Sequence, residues 1–121
     1  MTRNTNCLVL SAPTSGNATG SSIDSNQIYA ASFQASFGGD VTAAGDVKIQ
    51  ASNDVCGYGN LAADFVPTNW TDIPNASATV VAGASVLITV PLAPFSYRWL
   101  RVVFTRTGGA GTITVNMSAA A

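Results

Sequence analysis

The chain has 121 residues, a formal net charge of −1 and only 9% charged residues beside 47% hydrophobic ones, where an average soluble domain carries roughly 25% charge. That length fits one domain, 1–121, with a real core and excludes two, and one lysine (Lys48) with four arginines cannot supply the cation cluster that nucleic acid requires. No apolar run reads as a leader or a spanning segment, so neither nucleic acid nor a membrane is expected as a partner.

Met1–Asn6 is polar and is expected to form a flexible N-terminal arm. Cys7–Ala12 reads as a short first strand, and the Ser/Gly/Asn/Thr-rich stretch Pro13–Gln27 as a loop. Ile28–Phe37 alternates, with Tyr29, Ala31, Phe33, Ala35 and Phe37 on one side, which predicts an amphipathic strand. Gly38-Gly39-Asp40 and Ala44-Gly45-Asp46 carry turn chemistry, and Val47–Ser52 then sets Val47, Ile49 and Ala51 against Lys48, Gln50 and Ser52.

Asp54–Asn69 predicts a connection well above the usual length of roughly 4–6 residues. It either serves a partner or folds back over the domain and buries its own apolar residues. Trp70–Pro74 offers Trp70 and Ile73 for burial and a proline that stops further pairing, and Ala78–Val81 and Ser85–Val90 read as two strands. Tyr97–Thr107 is the segment around which the chain is organised: Leu100, Val102 and Phe104 share one face, Tyr97, Trp99 and Val103 the other, with Arg101 beside them. One face belongs to the core, and the second asks for cover by a loop or a neighbouring subunit. Gly108–Gly111 predicts a hairpin turn into a last strand, Thr112–Ser118. Seven to eight strands without helical periodicity predict an all-β, antiparallel β-sandwich or jelly roll.

Histidine and glutamate are absent, which removes the usual general base and the commonest nitrogen ligand for metals. The six aspartates fall in predicted loops, turns or strand ends, where local backbone hydrogen bonds are their ordinary use. Cys56 has no histidine to activate it, and Asn53-Asp54 stands outside any calcium-loop spacing. The residues therefore predict no catalytic site, no cofactor and no metal. They predict a contact surface built from Tyr97, Trp99, Arg101, Tyr58, Phe65 and Trp70, residue types that anchor interfaces.

The succession Lys48–Asp54 (KIQASND), Trp70–Pro74 (WTDIP) and Tyr97–Phe104 (YRWLRVVF), followed by a glycine turn and a Thr/Val strand, resembles small virion structural proteins of tailed bacteriophages. The same skeleton is more faintly similar to discoidin-like, galactose-binding jelly rolls. The phage resemblance covers roughly Asp46 to Ser118. It implies a capsid decoration or head–tail accessory protein, assembled in the bacterial cytoplasm into the virion, with the major capsid protein, other virion proteins and its own copies as partners. A carbohydrate-binding or host-adhesion module of the tail is the alternative, with Trp70, Tyr58 or Trp99 stacking on a sugar and Asn53 or Asp54 bonding its hydroxyls.

Overall fold

The computed structural model describes residues 4–13, 16–25, 28, 30–38, 42–54, 65–91 and 97–120, and among these the chain is all-β. Its strands are β1 (Asn4–Pro13), β2 (Ala18–Thr19), β3 (Ile23–Asp24), β4 (Ala30–Gly38), β5 (Ala44–Ser52), β6 (Thr71–Val81), β7 (Ser85–Thr89), β8 (Trp99–Gly108) and β9 (Thr112–Ala120). Two sheets stack face to face, one in the order β1-β9-β4-β7 and the other β2-β8-β5-β6, with β3 added to β8. All pairings between strands are antiparallel. The chain changes sheets at every connection except β2–β3 and β5–β6, and that strand order is a jelly roll.

The reason lies in alternation. Leu100, Val102 and Phe104 of β8 and Val47 and Ile49 of β5 are fully buried on one side of the interface. Phe33 and Ala35 of β4 and Ile113 and Val115 of β9 meet them from the other sheet. Successive side chains point to opposite faces, so each strand contributes every second residue to one shared core. Gly45, paired with Arg106, lies beside the Phe104 ring on this inner face, where a β-carbon would run into that ring and the Thr105 carbonyl.

Several strands run further than their side-chain patterns indicate. Asn4–Asn6, expected in a loose arm, pair with Ser118–Ala120. Ala44-Gly45-Asp46, expected as a turn, is paired strand on both sides. Trp70–Pro74 and Ala78–Val81 merge into β6, whose register shifts between the Gln50–Asp72 and Lys48–Ser77 pairs. At that bulge Asn75 takes φ 62°, a left-handed conformation asparagine tolerates better than most residues. The predicted Pro13–Gln27 loop contains two-residue strands that pair with β8, with Ala18 opposite Phe104 and Ile23 opposite Leu100.

The Gly108–Gly111 segment is not a hairpin. β8 and β9 belong to different sheets, and the glycines carry the chain across the end of the sandwich. Gly109 has φ 77°, and a β-carbon there would collide with the Thr42 backbone. A glycine with positive φ suits a sheet-crossing bend as well as a hairpin.

Candidate functional site

Most of the residues singled out in the sequence gather at one end of the five-stranded sheet, where β8 begins and the β5–β6 connection leaves and returns. Tyr58 lies outside the described residues. Trp99 is only 8% exposed: the outer face of β8 finds its cover inside the chain. The Phe65 ring lies 6.0 Å from the Trp99 ring at 38°. The Arg98 guanidinium sits 4.3 Å from the Trp99 ring centre, and the indole N–H donates to the Asp54 carbonyl at 3.1 Å. A buried indole needs such a partner, and a cation over its face adds electrostatic attraction. Arg98 also pairs with Asp24, which ties β3 to this corner.

Asp54 binds the returning end of the connection, at Thr68 and Asn69. One carboxylate oxygen accepts the backbone N–H groups of Thr68 and Asn69, each at 2.8 Å, and the other accepts the Asn69 side-chain amide at 3.0 Å. The Asn69 backbone and amide donors, with Thr68 behind them, lower the Asp54 pKa from its ordinary value. The Ser52 hydroxyl accepts the Asp54 N–H at 3.1 Å, and the Asn53 side-chain oxygen accepts the Arg98 N–H at 3.0 Å. Trp70 donates its indole N–H to the Pro67 carbonyl at 3.2 Å. A cleft of about 400 Å³ lies between Ser52, Asn53, Asp54, Asn69, Thr71 and Tyr97, with Ala51 at its floor.

Further along, the outer face of the five-stranded sheet is a polar ladder. The Arg101 guanidinium packs 4.4 Å from the Trp70 ring centre and donates to the Gln50 side-chain oxygen at 2.7 Å. Gln50 in turn donates to Asp72 at 2.8 Å, and the Lys48 ammonium reaches the same carboxylate at 3.2 Å. Gln50 and then Lys48 lower the Asp72 pKa. Asp46 accepts the Thr79 hydroxyl at 2.9 Å.

Sequence reasoning misses the opposite surface. Every charged side chain among the described residues belongs to the five-stranded sheet or its connections: Asp24, Asp46, Lys48, Asp54, Asp72, Arg98, Arg101 and Arg106. On the four-stranded sheet the outward positions of β9 and β4 are Thr112, Thr114, Asn116 and Ser118, beside Ser32, Gln34 and Ser36. Leu8, 59% exposed on edge strand β1, and Leu87, 72% exposed on edge strand β7, frame them. The low charge of the chain was the available signal, but only the topology shows that the neutral residues share one face.

By sequence the chain matches no family model and no curated protein. By structure it is similar to the PBSX exported protein XepA, with a TM-score of 0.66 and 16% identity over 95% of this chain. It is also similar to the SPBc2 prophage-derived protein YomS, with a TM-score of 0.57 and 14% identity over its full length. The chain spans 36% of the length of XepA and 96% of that of YomS. At these identities the likeness is one of fold.

Proposed function

We propose that the chain is a non-enzymatic structural component of a bacteriophage particle. In this reading it is present in many copies and packs as a decoration or accessory protein against the major capsid protein and other copies of itself. The observation that carries the reading is the uncharged face of the four-stranded sheet, on a fold shared with a prophage-derived protein of nearly the same length. A hydroxyl- and amide-rich sheet face framed by leucines costs less to dehydrate than a charged one, and small neutral contacts gain from repetition on a lattice. The non-enzymatic part is supported by what the described carboxylates do. Asp24 pairs with Arg98, Asp46 with Thr79, Asp54 with Thr68 and Asn69, and Asp72 with Gln50 and Lys48.

Peptide counting on purified particles tests the reading. It predicts the chain at a copy number comparable to that of the capsid protein, and its absence from particles of a phage that expresses it would contradict the proposal. A few copies per particle would instead favour host adhesion. One observation supports that second reading: the cleft beside Asn53, Asp54, Asn69 and Thr71 offers hydroxyl, amide and carboxylate groups with Tyr97 at its side. Trp99 and Trp70 already have Arg98 and Arg101 over their rings, and Tyr97 packs partly against the core, so recognition there would rest on the polar groups. Binding to a glycan array that Thr71→Ala abolishes would establish it.

A further inference from the structure

The outer face of the four-stranded sheet carries an order that composition alone does not reveal. Leu8 of β1 stands opposite Asn116 of β9, Asn116 opposite Gln34 of β4, and Gln34 opposite Leu87 of β7. These four residues form one row straight across the sheet, all exposed, and the row reads Leu-Asn-Gln-Leu: apolar, amide, amide, apolar. It has the same pattern from either edge. The neighbouring rows, Asn6-Ser118-Ser32-Thr89 and Ser11-Thr114-Ser36-Ser85, contain only hydroxyls and one amide.

We infer that this face is the contact surface for a second copy of the same chain, paired face to face about a two-fold axis centred on the Leu8–Leu87 row. The inference deepens the multi-copy reading above and rests on it only for its biological setting. A closed two-fold contact requires that a surface complement itself. Either in-plane axis through the middle of this row sets leucine on leucine and amide on amide. Asn and Gln each donate and accept, so two amide pairs can satisfy one another without a charged partner. No described side chain on this face is charged, so approach of an identical face meets neither like-charge repulsion nor the cost of desolvating an ion. The five-stranded sheet, with Lys48, Asp72 and Arg101 outward, lacks this property.

Shape and area agree. A shallow hollow of about 340 Å³ between Asn6, Ser32, Gln34, Leu87, Asn116 and Ser118 lies on the face itself, with Met117 at its base. It leaves room at the centre of the face for the amide pairs of the two copies. Strands about 4.8 Å apart and about nine residues long at about 3.3 Å per residue outline roughly 500 Å² for this sheet. Two such faces together remove on the order of 1,000 Å² from water, the scale at which specific pairing begins.

Sedimentation equilibrium of the purified chain over a concentration series tests the inference, with circular dichroism as the check on folding. The unmodified chain should form a dimer. Leu87→Asp should weaken pairing on the order of tenfold or more while leaving the spectrum unchanged, because the residue is exposed. Gln34→Lys should do the same by a separate substitution, and it carries the test should the first variant misfold. Ser77→Asp, on the five-stranded face, should pair as the unmodified chain does. A monomer throughout the series, or pairing indifferent to both Leu87→Asp and Gln34→Lys, would overturn the inference. A monomeric chain that is still abundant in particles defeats the pairing alone, and a dimer absent from particles defeats the particle reading alone.

Discussion

The two outer faces of this sandwich are made from the same fold and end in opposite conditions. The five-stranded face is closed by the chain's own groups: Phe65 and Arg98 cover Trp99, Arg101 covers Trp70, and Gln50 joins Arg101 to Asp72. Among the described residues the four-stranded face presents hydroxyls, amides, two exposed leucines and the half-buried Ala30 and Ala120, and none of its side chains is charged. A large aromatic in a strand therefore marks a place that the chain itself needs covered. In the proposed reading, the neutral face without aromatics is the one offered to a partner.

The core between the faces sets the scale for breaking that contrast. Phe33→Ala in the four-stranded sheet and Phe104→Ala in the five-stranded sheet each remove a fully buried ring and should each cost about 3–5 kcal/mol in urea unfolding. A negligible loss at either position would contradict its place in the shared core. Trp99→Ala removes its contacts with Phe65, Arg98 and the Asp54 carbonyl and should cost about 3 kcal/mol. Leu87→Asp should leave monomer stability unchanged and lower only self-association. If Trp99→Ala proved harmless while Leu87→Asp unfolded the chain, the roles assigned to the two faces would be reversed.

Much of the fold was legible in the sequence because alternation is a local property. The buried set Leu100, Val102 and Phe104, and its partners Val47 and Ile49, can be picked out by period alone. Which sheet a strand joins is not local, so Gly108–Gly111 suggested a hairpin where the chain crosses between sheets. β2 and β3 have two residues each, too few to show a period. The contact of Trp99 with Phe65 spans a long connection, and the Leu8–Leu87 row joins four strands distant in sequence. Neither can be seen before the register is known.

Smaller effects sharpen the comparison. Lys48→Ala breaks an exposed ion pair with Asp72 and should cost under about 1 kcal/mol, less as salt rises. Pairing through the uncharged face should not respond to salt in that way. Acid should separate the faces too. Asp54 and Asp72 have lowered pKa values, Asp54 chiefly from the Asn69 N–H and Asp72 chiefly from Gln50. Their stabilising contribution is complete above the ordinary aspartate pKa of about 3.9 and is lost as pH falls through the lowered values. Thermal stability should therefore fall below about pH 4, and less so in Asp54→Asn, while pairing of the folded chain stays level with pH.

Hydroxyl-radical footprinting at rising protein concentration tests most directly that the uncharged sheet is where copies meet. Four large apolar side chains are exposed on the described surface, Leu8, Leu87, Val66 and Val81. The account predicts that Leu8 and Leu87 lose reactivity together as the chain associates, while Val66 and Val81 keep theirs. Association that leaves Leu87 fully reactive would contradict it.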